Sequence, residues 1–262
     1  MNDLPDSYWF DHRQLADPAN QGDVRVVEKS IEIGIVFFSG MTQLDVTGPF
    51  EVLARLPNAR MHLLWKQIEP VLSDVGLLLS PTTTFDDSPV LDVLCIGGGP
   101  GRNVVMEDPE TLASIARLGA SARYVTSVCS GALILGAAGL LNGYRSTCHW
   151  MSRDQLSFLG AIPLDARVVI DRNRISGGGV TAGIDFGFQL AAELCGDDVA
   201  RRLQLLLEYD PKPPFDVTVH NASPALLAKV RASGASWAEE GRRVSERAGA
   251  RLAEKARAVE AA

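Results

Sequence analysis

Tyr124-Val125-Thr126-Ser127-Val128-Cys129-Ser130-Gly131-Ala132-Leu133-Ile134-Leu135-Gly136-Ala137-Ala138 is the stretch that decides the fold. Its first five residues, rich in β-branched side chains, have the pattern of a buried strand. Its last seven are an apolar run that reads as a buried helix. Only Cys129, Ser130 and Gly131 separate the two. A chain that passes from strand to helix in so few residues lifts the middle side chain above the sheet, the geometry of a nucleophile elbow. The helix start beneath it offers unpaired N–H groups and a positive dipole end. Cys129 is therefore expected to be an exposed nucleophile, its thiol pKa lowered below the free value of about 8.5.

The pattern repeats outward from this turn. Ile31 to Phe38 is a β-branched and aromatic run, followed by helical spacing at Val46, Phe50 and Leu53. Met61 to Trp65, Leu77 to Leu79 and Leu91 to Ile96 read as strands. Asp108-Pro109-Glu110 opens a helix that runs to about Gly119. Strands are expected around Arg167 to Ile170 and Arg174 to Ser176, then helices over Thr181 to Leu194 and Asp198 to Leu207, stopped by Pro211, Pro213 and Pro214. Strands alternating with helices predict an α/β fold, a mostly parallel sheet covered on both faces. Ligands in such sheets sit beyond the carboxyl ends of the strands. Residues 1–30 read as a loose arm, 31–215 as the catalytic α/β domain, and 216–262 as a helical extension. From Ser223 onward that extension is an amphipathic helix on the surface or at a subunit contact.

With 46% apolar residues, the 262-residue chain can bury one sizeable core. Its net charge of -7 argues against a nucleic-acid footprint and against docking on an anionic membrane. No apolar run approaches the roughly 18 residues of a membrane span. The acidic N-terminus lacks the basic start and apolar stretch of a secretory signal, so the cytoplasm is the expected location. The four cysteines, at 95, 129, 148 and 195, include no C-x-x-C pair, which disfavours a zinc site. Cys95 and Cys195 lie in apolar settings that read as core.

Other residues accompany Cys129. Gly97-Gly98-Gly99-Pro100-Gly101 follows a strand and precedes a helix. Its backbone N–H groups, at Gly98 and Gly99 above all, suit an oxyanion-type loop. A phosphate cradle and a plain turn are the alternatives; no full dinucleotide fingerprint or P-loop lysine is present. Pro100 has no N–H to donate. Asp45, just after the first strand, reaches the same end of a parallel sheet. A carboxyl beside a thiolate has a raised pKa and can deliver a proton near neutral pH; an Asp at a helix start is equally an ordinary cap. His149 reads as a base or as a packed neighbour of Trp150, and Asp185 as a cap or ion-pair partner.

These motifs, in this order, resemble the ThiJ/PfpI superfamily, and within it the isocyanide (isonitrile) hydratases. The resemblance is carried by Gln43 to Pro49, the loop at 97–101, Thr126 to Gly131, Thr147-Cys148-His149-Trp150, Ser176 to Phe186 and Leu207 to Phe215. It implies a flavodoxin-like sandwich, a homodimer without metal or organic cofactor, and hydration of a small-molecule isocyanide to an N-substituted formamide. Cys129 matches the nucleophile, Asp45 its acidic partner, and Ser130 a hydroxyl-bearing position beside the substrate. Gly97 and Pro100 depart from the Pro and Thr common in that loop. Ser130 also stands where peptidase-type members carry His, which argues against a Cys-His pair. Glyoxalase-type chemistry, the sensor domain of a helix-turn-helix regulator, and a redox-sensing thiol are the rival readings.

Overall fold

Apolar residues that continue without alternation mark a strand covered on both faces, and Ile31–Val36 (β1) is such a strand, inside the sheet of the molecule. The computed structural model describes residues 29–260. After β1 come Gln43–Leu53 (α1) and Ala59–Trp65 (β2), then a small hairpin of Val71–Leu72 (β3) and Leu78–Leu79 (β4), and Thr83–Thr84 (β5). Val93–Ile96 (β6) leads through the glycine loop to Arg102–Val105 (α2) and Pro109–Ser121 (α3). Asp108 caps α3, accepting from the N–H groups of Glu110 and Thr111, as the Asp-Pro-Glu signal predicts. Tyr124–Val128 (β7) and Gly131–Ala137 (α4) enclose the elbow. Arg145–Ser146 (β8), a 3-10 helix at Arg153–Leu159 and Ile162–Pro163 (β9) come next. Val168–Asp171 (β10), Arg174–Gly177 (β11), Ala182–Cys195 (α5) and Asp197–Leu206 (α6) complete the body. Pro224–Ser233 (α7) and Ala235–Glu260 (α8) form the C-terminal part.

The seven-stranded sheet has the order β10-β11-β7-β6-β1-β2-β5, and only β10 runs antiparallel to its neighbour. One group of helices, α1, α5 and α6, packs together, and a second gathers α3, α8 and the 3-10 helix around α4. The result is a flavodoxin-like α/β sandwich with C-terminal helices. Register aligns Val36 of β1 with Ile96 of β6, and Ile96 with Ser127 of β7. Three adjacent parallel strands thus end together, so the chain after β1, the glycine loop and Cys129 meet at one edge.

Some expectations change in the structure. Of Leu77 to Leu79, Leu78–Leu79 is the short strand expected, but it lies in the separate β3–β4 hairpin outside the main sheet, with Leu78 63% exposed and Leu79 packed against the core. The tail is two helices broken at Gly234. Of these, α8 lies against its own body: Val244 and Ala248 are buried and Ser245 Oγ donates to Gln155 Oε1 at 2.9 Å. The reading of residues 1–30 as an arm falls on positions outside the described residues, Lys29 and Ser30 apart.

Candidate active site

Cys129 occupies the left-handed region, with φ 58°, one residue beyond β7. A side chain with a Cβ adopts that conformation at a cost of order 1 kcal/mol or more, so it persists where its surroundings hold it. Here Cys129 N–H donates to Gly177 O at 2.9 Å, tying the elbow to the end of β11. The helix beyond is held close: a Cβ at Gly131 would collide with the carbonyls of Ile96 and Gly97. The strand-to-helix switch read from the sequence is thus a real and strained turn.

Its electrostatics correct the expectation. Cys129 is only 5% exposed, and burial pushes its thiol well above the usual range; the neighbouring Asp45 charge and Cys148 push the same way. The Ser130 N–H at the helix start opposes them and is outweighed. Desolvation defeats the helix dipole because a buried thiolate has no water to replace. The resting group is a thiol.

Asp45 is fully buried in the first turn of α1, yet it caps nothing: the N-cap is Thr42, which makes no side-chain cap bond. Instead Asp45 Oδ2 accepts from the Gly98 N–H at 2.9 Å. Burial raises its pKa to about 7; the bonds from Gly98 and the Cys129 thiol oppose that rise, and the Asp74 charge adds to it. The upward direction matches the sequence reading, but burial, not a neighbouring thiolate, is the main cause. Asp45 Oδ1 has no hydrogen-bond partner among the described residues, and the Cys129 thiol is a neighbour of the carboxyl.

The glycine loop is committed to building this pair. Gly98 N–H is spent on Asp45, and Gly99 N–H donates to Ser130 Oγ at 3.1 Å. Neither N–H is therefore free for an oxyanion; both fix side chains. Gly98 must be glycine, since a Cβ there would lie 2.5 Å from the Ser130 nitrogen and hydroxyl and 3.1 Å from Asp45 Oδ2. Gly99 has φ 131°, a conformation open chiefly to glycine. Thr42 N–H returns to Gly98 O at 2.9 Å, and Thr42 Oγ1 donates to Asp74 on the β3–β4 turn at 2.6 Å.

Cys129, Asp45, Gly98, Gly99 and Ser130 therefore converge. His149 bonds elsewhere: its Nδ1 accepts from Met151 N–H at 3.4 Å, its ring abuts Gly179, and burial lowers its pKa. Asp185 stands apart as a brace, taking Arg167 Nε at 2.7 Å and the Tyr209 hydroxyl at 3.1 Å. Among the described residues no cluster of three or more His, Cys, Asp or Glu is placed to hold a metal. The sequence reading missed Asp74, Arg102 and Ser152. A lone arginine directly after a glycine loop and before Val104-Val105 was the available signal for Arg102.

An acid of pKa about 7 against a buried thiol at the carboxyl end of a parallel sheet can pass a proton to and from a small electrophile. The model of the DJ-1/PfpI family matches residues 32–193, which include every residue of this cluster. The chain belongs to the DJ-1/PfpI family. Within it, the chain is 51% identical over 224 residues to the isonitrile hydratase of Pseudomonas putida, covering 85% of this chain and 98% of that one. The crystal structure of a ThiJ/PfpI family protein from Pseudomonas syringae superposes with a TM-score of 0.81 at 44% identity, over 83% of this chain and 91% of that one. A regulator is more distant: the HTH-type transcriptional regulator GbdR of Pseudomonas aeruginosa is 29% identical, and the match spans 68% of this chain and 50% of the regulator.

Proposed function

We infer that this DJ-1/PfpI protein is a cysteine-dependent isonitrile hydratase, adding water to an isocyanide to give an N-substituted formamide. The observation that carries the chemistry is the juxtaposition of a buried Cys129 thiol and a buried Asp45 carboxyl of pKa about 7. The 51% identity to a curated isonitrile hydratase over nearly its whole length supports the substrate class.

In the reaction, the ionised Asp45 carboxylate takes the Cys129 proton as the sulfur attacks the terminal carbon of R–N≡C. The resulting carboxylic acid returns that proton to the same carbon, giving the thioimidate R–N=CH–S–Cys129. Water then adds its oxygen to the carbon and a proton to the nitrogen, and the C–S bond breaks. Formamide leaves, and the sulfur regains its proton. One difficult addition becomes two easier ones. Asp45 acts first as base and then as acid, which a pKa near working pH allows. Gly98 aims the carboxyl, and Gly99 with Ser130 sets the helix start against the sulfur.

The finer reading is a cytoplasmic homodimer. Four free cysteines suit a reducing compartment. An irregular segment at 210–222 leaves Phe215 76% and Val217 55% exposed, apolar area that a second copy would cover. No helix among the described residues is long and apolar enough to cross a membrane.

The test is formamide production from an aryl and a cyclohexyl isocyanide, with methylglyoxal turnover assayed in parallel. Wild type is expected to hydrate the isocyanides and Cys129→Ala to be inactive. Retained turnover in Cys129→Ala, or turnover of methylglyoxal alone, would sink the assignment.

A further inference from the structure

Thr42-Gln43-Leu44-Asp45 has the spacing of a capping box, a threonine at the N-cap and an acidic residue three positions on. In that motif the hydroxyl accepts from the N–H of the third helical residue, and the carboxylate accepts from the N–H of the threonine. Thr42 is the N-cap of α1, with the extended backbone usual there. Yet neither half of the box is made. Thr42 Oγ1 donates to Asp74 Oδ2 at 2.6 Å, and the Asp45 N–H goes to the main-chain oxygen of Thr42 at 3.0 Å. Gly98 stands in for both missing partners. Its oxygen accepts from the Thr42 N–H at 2.9 Å, and its N–H donates to Asp45 Oδ2 at 2.9 Å. The carboxyl is thereby held off its own helix start and beside the Cys129 thiol.

The turn that carries Asp74 is firmly seated. Gly40 N–H donates to Leu72 O at 2.7 Å and Asp74 N–H to Met41 O at 2.9 Å, so the hairpin docks along the residues just before Thr42. Within the turn, the buried Ser73 donates its N–H to Leu77 O at 2.8 Å and takes the Leu77 N–H on its hydroxyl at 2.9 Å. Gly76 closes the turn at φ 90°. Backbone bonds therefore deliver the Asp74 carboxylate to the Thr42 hydroxyl. An O–H···O⁻ bond of 2.6 Å is of the short, charge-assisted kind. A hydroxyl drawn to Asp74 makes no cap bond, and the Asp45 N–H turns to the Thr42 main chain instead.

We propose that Asp74 is a positioning residue for Asp45: by holding the Thr42 hydroxyl, it keeps the capping box open and leaves the Asp45 carboxyl to Gly98 and Cys129. The proposal rests on the reading of Asp45 as the group that exchanges a proton with Cys129. With Asp74 removed, the freed hydroxyl turns back to the Asp45 N–H, and the carboxyl follows toward the Thr42 N–H. Gly98 opposes that rearrangement with its two bonds, so only part of the population is displaced. An N-cap of ordinary strength is worth about a fivefold shift in such an equilibrium.

The test compares Asp74→Ala, which removes the acceptor, with Asp74→Asn, which keeps one, and repeats Asp74→Ala in a Thr42→Val background. Turnover is measured at pH 8.5, above the Asp45 pKa of about 7, so that the direct effect of the Asp74 charge on that pKa does not enter. Asp74→Ala should lower kcat for isocyanide hydration by about fivefold with KM little changed, while Asp74→Asn stays within about twofold of wild type. In Thr42→Val, which has no hydroxyl to release, Asp74→Ala should lower kcat by less than about twofold further. The Gly98 amide proton resonance gives a readout that needs no substrate. It should move upfield in Asp74→Ala, as its bond to Asp45 weakens, and stay in place in Asp74→Asn. An unmoved Gly98 resonance in Asp74→Ala, an equal loss of kcat in the Thr42→Val background, an Asp74→Asn as slow as Asp74→Ala, or an Asp74→Ala that does not fold would each overturn the proposal. Failure of the Asp45 assignment is read separately, as full turnover in Asp45→Asn.

Discussion

Cys95, within β6, and Cys129, just past the end of the neighbouring parallel strand β7, are nearly alike by the usual measures. Both are buried, and in both desolvation is the largest influence raising the thiol, to about 12 for Cys95. They differ in backbone and company. Cys95 lies within β6, its register partners Ile35 and Thr126 on either side, and the Thr126 hydroxyl beside its sulfur. Cys129 lies one residue past the end of its strand at positive φ, with a helix start on one side and a carboxyl of pKa about 7 on the other. Neither burial nor thiol acidity separates the cysteine proposed as nucleophile from its neighbour. A strained turn and a partner able to accept its proton do.

The largest expected effect tests that distinction directly. Cys129→Ala should lower isocyanide kcat/KM by more than ~10⁴-fold, because the covalent route is removed rather than slowed. Cys95→Ala should leave kcat/KM within about twofold while lowering stability by roughly 1–2 kcal/mol through the small cavity it opens. Steady-state kinetics and thermal melts of both variants check this, and equal loss of turnover would erase the contrast.

Asp45→Asn comes next, with an expected loss of about 10²–10³-fold in kcat/KM. Wild-type kcat/KM should rise with pH through about 7, as Asp45 ionises to accept the thiol proton, and this limb should be absent in Asp45→Asn. The stability effect has the opposite sign. A carboxyl whose folded pKa is raised favours folding while protonated; that contribution is complete below the ordinary carboxyl range and lost as pH climbs to about 7. Wild type at pH 8 therefore carries a buried carboxylate that Asn does not, and Asp45→Asn should be more stable there by roughly 1–3 kcal/mol, with the gap narrowing at pH 5. A denaturant series at both pH values reads it.

The site was legible where local pattern dictates structure. β-Branched and apolar runs announced β1, β6 and β7, and the abrupt change at Cys129-Ser130-Gly131 announced the elbow. Parallel alternation was enough to bring Asp45 to the edge where Cys129 sits. What stayed illegible depends on tertiary burial and on which partner a backbone group finds. Free N–H groups at Gly98 and Gly99 were the natural reading of a glycine loop. Nothing local says that Asp45, some fifty residues earlier, and Ser130, some thirty later, take them. The sign of the thiol shift failed for the same reason, since a helix start is visible in sequence and the depth at which it is buried is not. Arg102 was hidden because its contacts, Ser152 and Trp237, lie fifty and more residues further along the chain.

Gly98→Ala sharpens the contrast between a loop that binds and a loop that builds. The added methyl would meet Ser130 and Asp45 together. Displacing the carboxyl by even about 1 Å is worth up to ~10²-fold in rate, so kcat should fall by about 10–100-fold with KM for isocyanide little changed. A loop that contacted substrate through its N–H groups would show its loss in KM instead.

Ser130→Ala is the smallest change and isolates one bond. It removes the acceptor for Gly99 N–H and leaves a buried donor unpaired, while the Ser130 N–H that faces Cys129 survives the substitution. A net hydrogen bond is worth about 1 kcal/mol, so kcat/KM should fall by about fivefold and stability by a similar free energy. If Ser130 held the helix start against the sulfur only through this bond, Ser130→Thr, which keeps the hydroxyl, would restore the rate. If instead the hydroxyl touched the substrate, the extra methyl of threonine would raise KM. The two readings of Ser130 therefore separate in a single comparison of kcat with KM.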